Sequence, residues 1–530
     1  MYWIIYPSLF TLFGTASSSA STILTSNTPF VDLDHGVFIG ISINNTEAYL
    51  GIPYVKQPIG DLRYRQPEPN DPYEGVYNAT EFGPICPQVL EAVPSDGQEG
   101  TDEAALIDLL ESKFSSPTTA VAEDCLRLNI WVPKGTSKRD SLPIVVWLHP
   151  GAFVSGTSSS YDGGIIVERS VSNGQPIIFV SLNYRLAAFG FLPGQEAQKA
   201  NITNLGLRDQ RQALRWLQQH IGSFGGDPSR VTLWGMNSGS ISVALQMLSN
   251  GGNTEGLFSG AVMQSGFPLP LNTYAQLQST YDAYISAANC SDSLDTLDCI
   301  RQAPLQTLLT AMDLIPPEAL TEGWEVIVDG EFIPEQPTTL LTQGTVARIP
   351  YIIADTDDEG TETALFLTTL ETDEAVEIWL ATQALPGVSD AEIAQILELY
   401  PNDPIQGSPF DTGTTNQVFP HFKQLAAIEG DLEFQGLLSK LYKDLPGIGA
   451  GTSTDLLNLY GPGELTDYLI NFVALGNPNN GTGLFWPQWN ATSPQILTVA
   501  NESEPLSIID DSFREKGMNL LMSLLLKNPQ

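Results

Sequence analysis

Five short stretches are almost wholly apolar: Pro143–His149, Pro176–Tyr184, the run from Val231, Ser259–Gln264 and Pro350–Asp355. Each is too short for a typical helix and lacks the polar alternation of a half-buried strand. Runs of this kind fit strands covered on both faces, as in a parallel sheet. Between them the period changes. Leu207–His220 carries Leu207, Leu214 and Leu217 at helical spacing, and a second helical pattern runs to Leu248. Strands alternating with helices predict an α/β fold, a mostly parallel twisted sheet with helices on both faces.

The flanks are less regular. Phe30–Ile43 alternates apolar and polar positions and predicts a hairpin. The prolines and glycines of Ala48–Pro69 predict an extended ordered loop. Glu123–Pro133 reads as a strand, and the polar Gln98–Thr119 as a surface excursion. From about Thr363 to Leu445 the pattern is mostly helical and predicts a cover over the sheet. Asp511–Lys527 predicts a closing amphipathic helix. No repeat, low-complexity tract or linker interrupts the chain, so residues 21–530 are expected to form a single domain.

Residues 1–20 change the picture of where the protein acts. An apolar region, Trp3–Phe13, precedes small residues at Ala16–Ala20, the layout of a secretory signal, although Lys and Arg are missing ahead of it. The run is too short for a membrane span, and no other stretch of about 20 apolar residues exists, so a secreted chain without a membrane anchor is expected. Four cysteines, Cys86, Cys125, Cys290 and Cys299, fit an oxidising compartment. They allow three pairings, of which the sequential one is the simplest. Seven Asn-x-Ser/Thr sequons, at Asn44, Asn78, Asn201, Asn289, Asn480, Asn490 and Asn501, are glycan acceptors where exposed. With 23 basic against 61 acidic side chains the net charge is −38, which disfavours nucleic acid and anionic membranes as partners. No cysteine or histidine spacing suggests a metal site, and no cofactor is expected.

The candidate chemistry centres on Val231–Val243, V-T-L-W-G-M-N-S-G-S-I-S-V. A β-branched run, two glycines four apart and a helical run outline a strand, a sharp turn and a helix. In α/β-hydrolases such a turn reads G-x-S-x-G and presents a serine over the sheet. Here Gly235 and Gly239 are in place, and Asn237 lies between them. Asparagine tolerates the backbone angles such a turn needs, but its amide is not a nucleophile at neutral pH. Ser238 and Ser240 are one residue off the apex and inside the helix.

Several longer strings resemble the type-B carboxylesterase/lipase family, which includes cholinesterases and fungal lipases. They are A-Y-L-G-I-P-Y, E-D-C-L-R-L-N-I, N-Y-R-L-A-A-F-G-F and N-L-G-L-R-D-Q-R-Q-A-L-R-W-L-Q-Q-H-I-G-S-F-G-G-D-P-S-R-V-T-L-W-G. The late G-P-G-E-L-T-D-Y and the close spacing of the last two cysteines are most similar to secreted filamentous-fungal members. The resemblance implies an α/β-hydrolase sheet of eight or more strands with a gorge at the strand carboxyl ends, and it favours the sequential disulfides. It also implies a serine, an acid, a histidine and backbone N–H donors for an oxyanion. Glu359, in D-D-E-G-T, falls at the acid position, though a helix-capping role would also suit it. Asn237 falls at the nucleophile position, preceded by Met236 where the family has glutamate. L-P-G-I-G-A-G-T-S-T-D-L puts Thr452 at the histidine position. His421 comes about 30 residues before Thr452 and reads as an ordinary histidine. The family's H-G-G-G-F appears as His149–Phe153 with Pro150, which has no N–H. Gly151, Ala152 and Ser238 keep theirs.

Loss of both nucleophile and base implies that ordinary serine-esterase turnover is absent. Three functions follow. The first is a repurposed protein whose gorge binds an apolar, carbonyl-bearing or ester-like small molecule and transforms it without an acyl-enzyme, with fungal secondary metabolism as one setting. The second is a soluble binding protein without chemistry. The third is an unconventional ester hydrolase using Ser238 or a water activated by Glu359.

Overall fold

The computed structural model describes residues 28–89, 120–268, 270–315, 323–435, 450–452, 463–481, 483–490, 492–499 and 506–527. The signal segment 1–20, the excursion 98–119 and the sequon at Asn501 lie outside them.

The chain opens with β1 (Phe30–Leu33) and β2 (His35–Ile39), the expected hairpin, joined by β5 (Glu74–Asn78) in a small three-stranded sheet. The main sheet starts with β3 (Ile41–Ile43) and β4 (Thr46–Pro53) and continues through β6 (Arg127–Pro133), β7 (Leu142–Leu148) and β8 (Ile178–Leu182). It gains β9 (Gly226–Met236), β10 (Gly260–Gln264) and β11 (Tyr351–Asp355), and then β12 (Ala450–Thr452), β13 (Gln495–Val499) and β14 (Leu506–Asp510). Its eleven strands run in the order β14-β13-β12-β11-β10-β9-β7-β8-β6-β4-β3. Every ladder from β8 to β13 is parallel, and the edges are antiparallel. This is the mixed, mostly parallel sheet of an α/β-hydrolase.

The five apolar runs are central strands, and each contributes to two cores. Val145 and Trp147 of β7 pack on one face with Trp234 and Val262. Ile144, Val146 and Leu148 pack on the other with Leu233 and Met263. Helices α1 (Gly163–Ser172) and the late helix Glu464–Leu475 cover the first face. Helices α2 (Leu205–His220) and α3 (Ser238–Leu248) cover the second.

Ala48–Pro69 departs from expectation, because its first part is the strand β4. Gly51, at φ +70°, sits at a register shift between Tyr49 and Ile52. A bulge there absorbs the glycine and lets the ladder resume, while Pro53 falls at the strand end where its missing N–H costs nothing. The second half also differs in part. Its described helices, including α4 (Gly360–Ala364) and α5 (Phe422–Glu429), form a core of their own with α6 (Glu515–Lys527). The strands β12 to β14 extend the sheet beyond the length that the apolar runs predict.

The cysteines pair sequentially, Cys86 with Cys125 and Cys290 with Cys299. In the chain-entropy picture the two bridges contribute about 4 and about 2.5 kcal/mol, the longer loop contributing more. Of the sequon asparagines, Asn44, Asn78, Asn289, Asn480 and Asn490 are exposed, while Asn201 is half-buried and accepts from Arg208 Nη2 at 3.1 Å. Among the described residues no helix is long and apolar enough to cross a membrane.

Candidate functional site

The sheet reverses its winding direction at β7, whose neighbours are β8 on one side and β9 on the other. The segments leaving the carboxyl ends of β7 and β9 therefore diverge, and the crevice between them is where open α/β sheets bind ligands. His149–Phe153 leaves β7 and Asn237 leaves β9.

Asn237 sits at the apex between β9 and α3 with φ 51° and ψ −123°. Such angles are costly for a side-chain-bearing residue and persist only where the surroundings impose them. The surroundings here are tight. A methyl group at Gly235 would overlap the Gly239 carbonyl, and one at Gly239 would overlap the Leu148 carbonyl of β7. The apex is pinned by the Asn237 N–H, which donates to Gln264 O of β10 (2.9 Å), and by Asn237 O, which accepts from the Ile241 N–H (2.9 Å).

The β7 loop turns through three successive residues of positive φ, Gly151, Ala152 and Phe153. This aims the Ala152 N–H at the apex, where it donates to Asn237 Oδ1 at 3.2 Å. The first N–H groups of α3, from Ser238 onward, face the same place and have no partner within the helix. The Ala152 N–H and the open start of α3 thus both lie at the apex that carries the Asn237 amide. The serine hydroxyls do not reach it. Ser238 is 1% exposed and its Oγ is buried without a hydrogen-bond partner, and Ser240 is fully buried and donates to Gly266 O.

Glu359 stands at the start of α4. It does not cap that helix. Its Oε1 accepts from the Thr356 N–H at 2.6 Å, and Ser265 after β10 also hydrogen-bonds to it. Burial pushes its carboxyl up from the usual range. Asp355, the last residue of β11, is more deeply buried. Its Oδ1 has no hydrogen-bond partner, and burial together with the charge of Glu359 pushes it well up. Two such carboxyls side by side cannot both ionise cheaply.

The backbone of Thr452 lies at the carboxyl end of β12, in register with Asp355. His421 takes no part in the site. It is 4% exposed, with Nδ1 at 2.7 Å from Gln424 Oε1 and Nε2 at 3.4 Å from Asn402 Nδ2.

The sequence pattern did not single out His149, Ser265 or Asp355. Asp355 alone left a signal, as the charged end of an otherwise apolar strand. His149 is 1% exposed and stacks on Tyr184 with ring centroids 4.4 Å apart. Its Nδ1 lies 2.9 Å from Pro150 O and Nε2 has no partner, so the ring is a neutral donor at Nδ1. Burial pushes it down to about 4. An unfolded histidine takes up a proton near 6.5 and the folded one only near 4. Stability is therefore lost as pH falls through that window, by about 3 kcal/mol in all. The buried carboxyls have the opposite sign, so the test is a difference. Urea midpoints measured against pH should fall less steeply in His149→Phe than in wild type, and parallel acid limbs would contradict the assignment.

Residues 27–384 match the carboxylesterase family. The chain belongs to the carboxylesterase family. Its relatives agree over nearly the full length. "Secreted lipase 1" of Botryotinia fuckeliana is 33% identical over 527 residues, 92% of this chain and 91% of the relative. "Secreted triacylglycerol lipase LIP1" of Gibberella zeae is 33% identical over 532 residues, 93% and 89% of the two chains. "Lipase 2" of Geotrichum candidum is 34% identical over 532 residues, 91% and 93%. The crystal structure of Aspergillus niger EstA superposes with a TM-score of 0.78 over 95% of this chain and 99% of that one, at 22% identity, a likeness of fold. Membership suggests an ester-like ligand for a crevice built this way.

Proposed function

We propose that this is a secreted carboxylesterase-family protein that has given up serine acyl-enzyme chemistry while keeping the crevice that serves it. Asn237 stands at the nucleophile position, Thr452 at the base position and Glu359 at the acid position. The protein binds an apolar, carbonyl-bearing small molecule and forms no covalent intermediate with it. The observation that supports this reading most strongly is the hydrogen bond from the Ala152 N–H to Asn237 Oδ1. An amide oxygen occupies a donor of the kind an oxyanion needs, and the same residue removes the attacking hydroxyl. A ligand carbonyl that displaces Asn237 Oδ1 would meet the N–H groups of Ala152, Gly151 and Ser238. Residues 1–20 direct secretion in this reading, residues 21–530 act as one domain, and the five exposed sequons carry the glycans, with Asn201 a poor acceptor.

A fluorophosphonate probe, which labels activated serines, tests it. The purified protein should remain unlabelled under conditions that label an active esterase to completion. Stoichiometric labelling at Ser238 or Ser240 would sink the reading.

A further inference from the structure

An asparagine can close a ring onto the backbone nitrogen that follows it, and the torsion that controls this closure is already set at Asn237. Its ψ is −123°. In an L-residue this value turns Cβ into line with the following nitrogen about the Cα–C bond, so the Asn237 Cβ eclipses Ser238 N. The peptide between the two residues is planar and trans, since among the described residues the cis bond is Ser408–Pro409. In a trans peptide the N–H bond lies in the plane, on the side of the preceding Cα. The Ser238 N–H is thus directed along the Asn237 side chain, and rotation about Cα–Cβ alone carries Cγ up to Ser238 N. A planar five-membered imide needs this arrangement, with a bond from nitrogen to Cγ in place of N–H.

Other asparagines of positive φ lack it. Asn204 has φ 52° and ψ 35°, and Asn250 has φ 53° and ψ 37°. Their φ matches that of Asn237, but their ψ puts Cβ opposite the following nitrogen, where no ring closes. The sharp turn makes the difference. Gln264 O, the Ile241 N–H and the close packing at Gly235, Gly239 and Gly266 hold the Asn237 backbone in place.

Two neighbours add chemistry to this shape. The Ala152 N–H donates to Asn237 Oδ1 at 3.2 Å, where it faces the charge that develops on this oxygen when Cγ is attacked. Ser238 N opens α3, at the positive end of the helix dipole, which favours a negative charge on that nitrogen. Asn237 is half-buried, so water reaches it.

We propose that Asn237 is a self-modification site, at which Ser238 N attacks the side-chain amide to give a succinimide and then an acid. Hydroxide takes the Ser238 N–H proton and becomes water. The nitrogen bonds to Cγ, and the carbonyl electron pair moves onto Oδ1, against the Ala152 N–H. When that pair returns, the Cγ–Nδ2 bond breaks, and Nδ2 takes a proton from water and leaves as ammonia. Water then opens the imide. Breaking the N–Cγ bond leaves aspartate in a normal backbone, and breaking the bond from nitrogen to the backbone carbonyl leaves isoaspartate, with Cβ inserted into the chain. Asparagine and water become acid and ammonia. The crevice, which the family reading leaves neutral at this position, gains a carboxylate against the Ala152 N–H.

Peptide mapping by mass spectrometry tests this, with Asn250 as an internal control. Asn250 is exposed and precedes Gly251, whose missing Cβ leaves its nitrogen the less hindered nucleophile in a flexible chain. The folded protein is stored at mildly alkaline pH and digested in mild acid, where an imide survives. Asn237 should lose its amide about tenfold faster than Asn250, through a succinimide, to a mixture of aspartate and isoaspartate. In urea, which frees ψ at both positions, the order should reverse. Asn237→Gln, whose side chain is one methylene too long for the five-membered ring, should stay unmodified in the fold. The wild-type comparison stands even if that variant does not fold. An intact Asn237 beside a modified Asn250 in the folded protein would overturn the proposal. Aspartate without imide or isoaspartate would overturn it too, because water and not Ser238 N would then be the attacking group. Cleavage between Asn237 and Ser238 as the main product would do the same, since it requires Nδ2 to attack the backbone carbonyl.

Discussion

The double variant Asn237→Ser/Thr452→His should hydrolyse p-nitrophenyl butyrate about a thousandfold faster than wild type, with a burst, while each single variant stays near the wild-type rate. Residues of a nucleophile–base pair act as a unit, and losing either one costs about as much as losing both. A serine alone at the apex has no base to take its proton, and a histidine alone has no nucleophile to serve. The apex itself is ready, because its backbone already holds the angles of a nucleophile turn and is pinned to Gln264 and Ile241. Serine would also free the Ala152 N–H that now donates to Asn237 Oδ1. Pro150 and Met236 stay unchanged, so the gain should fall short of a full triad, which accounts for about a millionfold. Stopped-flow absorbance gives both burst and steady state. An inert double variant that folds normally would show that the crevice, and not only the two residues, has been remodelled.

Asp209→Ala should destabilise the protein by about 4 kcal/mol, and Arg185→Met/Asp209→Leu should recover most of that loss. Asp209 of α2 is fully buried and Arg185 is 2% exposed. Arg185 donates to it from Nε (2.8 Å), Nη2 (2.7 Å) and its own N–H (3.1 Å), and Arg185 Nη1 donates to Arg65 O (2.7 Å). Removing the carboxylate alone strands a buried guanidinium, whereas replacing both partners by apolar groups strands no charge and leaves only the neutral Arg185 N–H and Arg65 O without these partners. The consequence reaches the site. The segment that Arg185 holds includes Ala187, whose N–H donates to Phe153 O, and Tyr184, whose hydroxyl donates to His149 O. Urea midpoints with an unchanged slope would measure the loss. A small effect in Asp209→Ala, or no recovery in the double variant, would contradict the account.

The central strands, α2, α3 and the sharp turn at Asn237 were all legible in the chain. Each is written locally, in apolar runs, helical spacing and two glycines four apart. The positions of Asn237, Glu359, Gly151, Ala152 and Thr452 at strand ends were also reachable, because a family's strings fix order along the chain. The β4 bulge was not, since a glycine and a proline in a strand look like a loop until the ladder partners are known. β12 to β14 were missed because short strands at a sheet edge carry little pattern of their own.

What the sequence by itself determined is the fold class, the turn and the identity of the residue at its apex. What only the tertiary structure decided is the set of neighbours. The Ala152 N–H reaches Asn237 Oδ1 across 85 residues of chain, and the Gly430 backbone packs on Gly360, next to Glu359, across about 70. The physical reason is range. Hydrophobic periodicity records which face of an element is buried. A hydrogen bond depends on separations of about 3 Å between groups far apart in the chain, and packing sets those.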